Sequence, residues 1–532
     1  MKKWLVIIIL AISQFVMILD STVMNVSIST VAKDLGTTIS GMQAAITFYA
    51  LTMAALMLTG GKLGDIWGRH RAFRIGSVVY GIGSLITALS PNLPVLLFGW
   101  SLVEGLGAIL VIPAIAALAA VNYTGRSRVV AFSILGAVTG LAAAVGPIIG
   151  GFVTTYLSWR YVFAAETLIM AGVLLVANKI HDEKLTKKAS IDIQSSFLSA
   201  AGMSLLVFGV LQSKTWGWIH PLSSPTINGK EIAPFGISLV AYLILSGVIV
   251  LWWFFQRQKN LETANKNPLL KVSMLSIPIL RSGLSVLMSQ YFTIAALFFV
   301  VPVYLQTILG YDALQTGIKL IPLSIGLLLF SAIGSKMSTM RSARNISRWG
   351  QLFMSVGVLF ILGSIEPELK GALFWVGMLI VGAGFGLLAS QLGNLNMSAV
   401  SQDDTSEVGG LQGTFQNLGS SFGTAIVGSV FMLLLTSGFA SAIQNTPNLS
   451  QSAKSQITAK TDEGVPIISQ AQAKSYVTDA GGSPTTAQTT SDIYQQSQID
   501  ALREALFVVF AVGILSILFS RHLPATIQAK KS

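Results

Sequence analysis

Three carboxylates interrupt stretches of the sequence that are otherwise apolar. Asp20, Glu104 and Glu166 each stand within a long run of apolar residues. A charged side chain at the centre of a bilayer costs about 2.5 to 3.5 kcal/mol on insertion scales, so each of these residues needs a reason to be there. Apolar surroundings favour the neutral acid, which suits reversible protonation. We therefore predict that all three are proton-coupling residues, with a structural hydrogen bond to a neighbouring helix as the alternative.

The runs around these carboxylates predict membrane helices. Of the 532 residues, 52% are hydrophobic and 11% are charged, and many runs reach the roughly 20 residues that cross a bilayer. The expected fold class is an all-helical integral membrane protein surrounded by lipid. We predict fourteen spans, at 5–28, 42–60, 72–90, 93–121, 129–157, 161–179, 195–212, 235–256, 281–307, 315–333, 348–364, 371–393, 408–436 and 503–520.

The positions of the carboxylates within these spans predict their depths. At 1.5 Å per residue, Asp20 lies about 22 Å along span 1 and Glu104 about 16 Å into span 4, while Glu166 lies about 8 Å from the boundary at which span 6 begins. Asp20 and Glu166 are therefore expected at a similar level in the outer leaflet. Glu104 is expected near the middle of the bilayer.

The distribution of basic residues predicts the orientation. Of the 34 Lys and Arg residues, 24 fall on the side that carries both termini, which predicts that both termini are cytoplasmic and that the chain is a multi-pass protein of the cell membrane. The net charge of +12 therefore reports topology, and we expect no nucleic-acid partner. The loop at 393–407 is an exception, because its charged residues are all acidic.

Several kinds of chemistry are not expected. The chain has no cysteine, which excludes disulfides, thiol catalysis and cysteine metal sites. Its 4 histidines are scattered, so we predict no metal site and no cofactor. No nucleophile–base pair stands out, and an enzyme is the least favoured class of function.

The stretch from Gly60 to Arg74 reads GGKLGDIWGRHRAFR. Its glycines allow tight turns and close packing, and its aspartate can accept hydrogen bonds or pair with an arginine. The simplest interpretation is a loop that sets topology. Its order also resembles the loop between spans 2 and 3 of major facilitator superfamily transporters, although Ile66 stands where that family usually has a basic residue. The positions carried over as a conformational motif are Gly61, Gly64, Asp65, Gly68, Arg69 and Arg71.

Two further segments resemble the fourteen-span drug:proton antiporters of the EmrB/QacA type within that superfamily. Leu19–Val26 reads LDSTVMNV, similar to the family's span 1 signature L-D-x-T-[IV]-[VM]-N-V. Span 5 contains the antiporter motif G-P-x-x-G-G, at Gly146, Pro147, Gly150 and Gly151. Close packing of these small residues would seal the protein against proton leak.

Span 4 departs from the family pattern. Leu97–Gly105 resembles the motif L-x-x-x-R-x-x-Q-G, but Ser101 replaces its arginine and Glu104 replaces its glutamine. The missing arginine removes a group associated with proton transfer in the family. The added carboxylate could take over protonation or bind a cation.

The resemblance implies two six-helix bundles joined by an inserted hairpin in a monomeric, bacterial protein. The expected divisions are 1–180, 181–275 and 276–532, with an external segment at about 437–502 that is expected to be a solvated loop with some helix. Spans 1, 4, 9 and 12 would line the substrate cavity. The candidate substrate-binding residues are Asn25, Trp100, Gln290, Phe292, Phe298, Phe299, Tyr304, Gln306, Phe385, Gln391, Asn394, Gln412, Phe415 and Gln416.

These aromatic residues, together with the carboxylates, predict a cavity that attracts lipophilic cations. The favoured function is therefore proton-coupled multidrug efflux by alternating access, with protons and an amphipathic small molecule as partners. Two alternatives stay open. One is a dedicated proton-coupled exporter of a metabolite, peptide or lipid precursor, and the other is a membrane sensor or scaffold that does not transport.

Overall fold

The computed structural model describes residues 4–525 except 38, 181, 183–189, 223, 228–229, 402–403, 447–450, 452–453, 456, 458–464, 466 and 480–481. Fourteen long helices make up most of the described chain. They are α1 (Leu5–Asp34), α2 (Ile39–Trp67), α3 (Arg69–Ala88), α4 (Leu93–Asn122), α5 (Gly125–Tyr156), α6 (Arg160–Ala177), α7 (Ile193–Trp216), α8 (Leu239–Thr263), α9 (Pro278–Ile308), α10 (Ala313–Met337), α11 (Ala343–Ser364), α12 (Gly371–Ser398), α13 (Thr405–Asn445) and α14 (Pro484–Ser516).

The helices confirm the predicted all-helical membrane fold. Thirteen are long and apolar enough to cross a membrane. The other is α3, which begins with the basic sequence Arg69-His70-Arg71 and so has a lower mean hydropathy. Within the described ranges the only extended pairing is a hairpin of β1 (Thr226–Ile227) and β2 (Lys230–Glu231), between α7 and α8.

The helices pack in two groups with a hairpin beside them. Helix α1 packs on α5, and α3 packs on α4 and α6, while α12 packs on α10 and α11, and α13 on α9 and α14. The groups meet where α2 and α4 face α13 and where α5 faces α10 and α12. The α7–α8 hairpin packs through α7 against α2 and α13.

We call the end at which α1 begins the termini end, and the opposite end the loop end. At the termini end the two groups touch through their backbones. A methyl group placed on Gly61 of α2 would lie 2.8 Å from the carbonyl oxygen of Ser406 in α13, and one on Gly409 would lie 2.8 Å from the carbonyl oxygen of Pro113 in α4. The space between the groups is therefore closed at this end.

At the loop end, α13 and α14 extend into the segment that was expected to be a solvated loop. Helix α13 has 41 residues and continues to Asn445, and α14 begins at Pro484. Their extensions share apolar contacts, since Phe439 and Tyr494 meet edge to face at 5.6 Å and Val465 from the connection is buried. This packing was not predicted, because the connection between α13 and α14 has a low apolar content. The ends of the two helices supply most of the apolar surface.

Helix α4 has an irregular turn that matters for the site. Residues Leu97–Glu104 form a π-helical segment, and a second one occupies Tyr304–Ile308 at the end of α9. A π-helical segment rotates the side chains that follow it relative to a regular α-helix, and such segments are frequent at functional sites. In α4 this segment carries Trp100, Ser101 and Glu104 inward, where all three are buried.

Candidate functional site

Asp20, Glu104 and Glu166 converge from α1, α4 and α6. Each offers a carboxylate oxygen, and these oxygens all lie within 4.8 Å of one another. All three side chains are buried. Like charges this close disfavour simultaneous ionisation, so the cluster is suited to hold and release protons. Three carboxylate oxygens are also a donor set that hard cations accept.

Trp100 is the strongest hydrogen-bond partner of this carboxylate cluster. Its indole Nε1 donates to Asp20 at 2.8 Å to Oδ1 and 3.0 Å to Oδ2. The indole ring stacks on Tyr49 of α2, with centroids 5.0 Å apart and planes 5° from parallel. The sequence placed Trp100 among the candidate substrate-binding residues, whereas in the structure its polar group is directed at a carboxylate.

The other two carboxylates have few partners. Ser84 Oγ donates to Glu166 Oε2 at 3.4 Å. Both carboxylate oxygens of Glu104 and the hydroxyl of Tyr80 have no hydrogen-bond partner among the described residues. Close contact between α3 and α4 keeps water out here, because a methyl group on Gly83 would lie 2.5 Å from the backbone nitrogen of Glu104.

The predicted antiporter motif joins α1 to the second group of helices. A methyl group on Gly146 would lie 1.8 Å from Thr22 Oγ1, and one on Gly150 would lie 3.1 Å from the Cα of Val23. Gly151 is buried beside them. Gly317 of α10 lies against Pro147 and Ile148, so the motif contacts α1 on one side and α10 on the other.

A cavity of about 100 Å³ lies between the two groups of helices. Its wall is formed by α1, α4, α5, α9, α12 and α13. Four of the predicted substrate-binding residues line it, namely Gln290, Phe385, Gln412 and Gln416. The sequence analysis missed four others, namely Gln14, Phe132, Thr139 and Tyr291. Gln14 could have been found, because an amide within an apolar span is itself unusual.

The remaining predicted substrate-binding residues lie outside the cavity wall. Tyr304 donates to the carbonyl of Glu366 at 2.7 Å, and the Nε2 of Gln391 donates to the carbonyl of Gly334 at 3.1 Å. Gln306 is exposed. The others make local bonds or apolar contacts; they are Asn25, Phe292, Phe298, Phe299, Asn394 and Phe415.

The carboxylate cluster and the cavity are separate places. Thr22 faces α5, and Asp20, two residues earlier, lies about 200° around the helix from it. Asp20 therefore points away from α5 and toward α3 and α4, where Trp100 meets it. None of the three carboxylates is among the described residues that line the cavity. This arrangement differs from the expected cavity with carboxylates in its wall.

Charged residues of the predicted conformational motif form a network at the termini end. Lys62, Asp65 and Arg69 are buried, and Arg69 Nε donates to Ser406 Oγ of α13 at 3.1 Å. A methyl group placed on Gly64 would lie at an ordinary contact distance from the Ser406 side chain, while Arg71 is exposed. The motif therefore binds the start of α13.

The acidic loop before α13 supplies the counter-charges for this network. Lys271, from the connection between α8 and α9, pairs with Asp404, and its backbone N–H donates to Glu407. Partial burial opposes the charge of Lys271, but Asp404 and Glu407 outweigh it and raise the pKa of Lys271 above its usual value. Lys271 thus adds a positive charge to this network, in which Ile66 replaces the basic residue that the family usually has. Asp403 lies outside the described residues.

Gly68 sets the turn from α2 into α3. Its φ of +91° is in the region that favours glycine. The turn is fixed by Asp182, whose Oδ2 accepts from the backbone nitrogen of His70 at 2.9 Å. The motif is thereby attached to α13 through Arg69 and to the chain after α6 through Asp182.

A bundle of membrane-spanning helices in two groups, with a cavity between them, is the arrangement expected of a membrane transporter. The chain belongs to the Major Facilitator Superfamily, whose family model matches residues 10–227 and 232–424.

Named relatives include transport and resistance proteins. The chain is 25% identical to a probable actinorhodin transporter of Streptomyces coelicolor, over 87% of this chain and 78% of that one. It is 25% identical to a puromycin resistance protein of Streptomyces alboniger, over 81% and 82%. It is 26% identical to a methylenomycin A resistance protein of Bacillus subtilis, over 81% and 88%.

Solved structures share the fold. The human organic anion transporter MFSD10 matches 93% of this chain and 98% of its own, with a TM-score of 0.55 and 11% identity. The proton:xylose symporter XylE matches 97% of this chain and 94% of its own, with a TM-score of 0.52 and 12% identity. At these identities the likeness shows the architecture alone.

Proposed function

We propose that this protein exports amphipathic, drug-like molecules from a bacterial cell in exchange for protons. The relatives named for drug resistance and export support the direction and the class of cargo. The observation that carries the proton part is the buried cluster of Asp20, Glu104 and Glu166. We further propose that the protein acts as a monomer, without a cofactor, enzymatic activity or a nucleic-acid partner.

The proposed location is the cytoplasmic membrane with both termini in the cytoplasm. The excess of Lys and Arg on the terminal side supports it, with 24 of 34 on that side. In this orientation the termini end faces the cytoplasm, and the contact between Gly61 and Ser406 closes the cavity on that side. Release of the contact, including the bond from Arg69 to Ser406, would open the cavity for loading.

The helices suggest how protonation acts at a distance. Asp20 on one face of α1 is bonded to α4, and Thr22 on the other face packs on α5, which in turn touches α10. A proton on Asp20 replaces a charge-assisted hydrogen bond from Trp100 with a weaker neutral one. The weaker bond allows α1 to move relative to α4. That movement displaces α5, which lies at the interface between the two groups of helices. Proton entry down the membrane potential and pH gradient drives the cycle.

The test uses the purified protein in proteoliposomes with an imposed proton gradient and a pH-sensitive dye inside. Adding a panel of amphipathic aromatic compounds, both cationic and neutral, is expected to produce proton movement that depends on the compound. Asp20→Asn is expected to abolish this movement, whereas Asp479→Asn, in the exposed helix Gln470–Asp479, leaves it intact. Coupled transport that persists in Asp20→Asn would contradict the assignment of Asp20. Folded wild-type protein that moves none of the compounds would contradict export and favour a scaffold.

A dedicated exporter of one metabolite is the second candidate. Some relatives are named for a single compound, such as actinorhodin or methylenomycin A. The same panel separates the two, because a multidrug exporter responds to several unrelated compounds and a dedicated exporter to only one chemical class.

A further inference from the structure

Four glutamines from three helices converge on the central cavity. Gln14 comes from α1, Gln290 from α9, and Gln412 and Gln416 from α13. Gln290 and Gln412 are 3% and 6% exposed, so both amides are removed from bulk water.

Two of these amides each leave one polar atom without a partner. Among the described residues, Gln290 Oε1 and Gln412 Nε2 have no hydrogen-bond partner. A buried donor or acceptor left unsatisfied costs about 1 to 3 kcal/mol. Each side-chain amide carries a donor nitrogen and an acceptor oxygen, and rotation can exchange their places. Together the two amides can therefore offer a guest molecule both a donor and an acceptor.

The cavity wall offers a guest no counter-charge. None of the described residues that line it is an Asp, Glu, Lys, Arg or His. The wall is completed by aromatic rings, including Tyr291 and Phe385, which meet edge to face at 6.2 Å. An ion that entered such a site would lose its hydration without gaining a partner of opposite charge, which is costly. A neutral guest avoids that cost.

The acidic residues of the first six helices do not change this balance. From Gln14 to Asp20 is about 9 Å along α1 and about 120° around it. Asp20 is fully buried, and its carboxylate accepts both bonds from Trp100. Its charge is therefore directed away from the cavity.

We infer that the cavity, once the two groups of helices part to admit a guest, recognises neutral, flat aromatic molecules that carry both hydrogen-bond donors and acceptors, such as hydroxyl groups beside ring carbonyls. Gln290 and Gln412 bond to those groups, and the rings of the wall contact the aromatic faces. The inference rests on the proposed export function and narrows its substrate class. Cargo and protons then occupy different places, so they are coupled through α1 and not by competition for one carboxylate.

The test measures binding to the purified full-length protein in detergent, without a proton gradient. The probes are 1,4-dihydroxyanthraquinone, its 1,4-dimethoxy analogue, which lacks donors, and ethidium, a permanent cation. The variants are Gln290→Leu and Gln412→Leu. The control is Gln351→Leu, which removes a buried amide on α11 that bonds to Ser516, away from the cavity. Thermal unfolding of each variant verifies that it is folded.

The dihydroxy compound is expected to bind at least tenfold more tightly than the other two probes. Each cavity variant weakens that binding about tenfold, equivalent to about 1.4 kcal/mol, while Gln351→Leu leaves it unchanged. The inference is overturned if ethidium binds most tightly, or if folded Gln290→Leu and Gln412→Leu bind the dihydroxy compound as well as the wild type does. The binding assay needs no proton gradient. Intact binding together with absent transport therefore overturns the export proposal, whereas the inference about the cavity stands.

Discussion

Trp100 donates its single indole N–H to both carboxylate oxygens of Asp20, at 2.8 and 3.0 Å, between two helices of the first six. This bond connects α1 to the π-helical part of α4. The indole N–H thus gives the buried carboxylate a donor, while the apolar body of the ring packs on Tyr49.

Replacing Trp100 tests that bond. Trp100→Phe keeps the ring stacked on Tyr49 and removes the donor. Hydrogen bonds to charged groups contribute about 1.5 to 3 kcal/mol, so we expect substrate-coupled proton movement in proteoliposomes to fall at least tenfold. Trp252→Phe, on an exposed part of α8, is the control and keeps the wild-type rate. Wild-type coupling in Trp100→Phe would show that the bond has no part in the cycle.

Gly83→Ala is expected to destabilise the protein, and Gly172→Ala is its matched control. The added methyl group at Gly83 meets the backbone of Glu104 at 2.5 Å, whereas at Gly172 of α6 it meets nothing within 4 Å. Overpacking costs about 1 to 3 kcal/mol, and a backbone atom cannot move aside as a side chain can. Thermal unfolding in detergent should therefore show a lower midpoint for Gly83→Ala alone. Equal midpoints for the two variants would contradict the close contact of α3 with α4.

Two glycines of one motif are expected to behave differently in closing the termini end. A methyl group on Gly61 lies 2.8 Å from the Ser406 carbonyl, while one on Gly64 lies 3.6 Å from the Ser406 side chain. Gly61→Ala should push α2 from α13 and favour the open arrangement. The chain has no cysteine, so a single Val408→Cys, buried at this contact, can report the change by maleimide labelling.

We expect labelling of Val408→Cys to become about tenfold faster in the Gly61→Ala background, a population shift of about 1.4 kcal/mol. In the Gly64→Ala background it should change by less than about twofold. Identical labelling in the two backgrounds would mean that Gly61 does not control this contact.

The pair formed by Asp192 and Arg257 predicts a dependence of stability on pH. Arg257 donates from Nε and Nη2 to the two carboxylate oxygens at 2.7 and 2.9 Å, and these bonds hold the pKa of Asp192 at about 2, below its usual 3.8. Because the folded pKa is depressed, the stabilisation is complete above the unfolded pKa and is lost as pH falls through the folded one. Asp192→Asn keeps an oxygen to cap α7 and removes the charge.

We expect Asp192→Asn to lower the free energy of unfolding by about 1 kcal/mol at neutral pH, allowing for partial solvent exposure of the pair. The difference from the wild type should stay constant above about pH 5 and shrink between about pH 4 and pH 2. Unfolding midpoints in detergent across this range measure it. A difference that instead grows as the pH falls would contradict the pairing.

The helices were predictable because they follow from local physics, since a run of apolar residues specifies a membrane helix. The rise per residue placed Asp20 and Glu166 at a similar level but put Glu104 about 8 Å away from it, whereas the structure brings all three carboxylates together. The convergence of α1, α4 and α6 on one point was not predictable from that physics. It depends on which helices are neighbours, and only the resemblance to a known family carried information about that.

The direction of individual side chains was harder still. The π-helical turn in α4 has no clear sequence signature, and it directs Trp100 to Asp20 instead of the cavity. Gln391 and Tyr304 looked equally suited to bind a substrate, yet the carbonyls of Gly334 and Glu366 accept their hydrogen bonds. Polar residues in membrane helices often donate hydrogen bonds to the backbone of a neighbouring helix. A single sequence does not distinguish that role from ligand binding.

Helix α13 is unbroken over its 41 residues, a length of about 61 Å against a hydrocarbon core of about 30 Å. One end bears Ser406, and the other bears Phe439 and the apolar packing of the loop end. If α13 tilts as a rigid body about Ser406, a tilt of about 5° displaces the distant end by about 5 Å. With both termini in the cytoplasm, as proposed, a molecule that binds α13 near Phe439 from outside the cell would also restrain the contact at Ser406, and an inhibitor of that kind would act without entering the membrane.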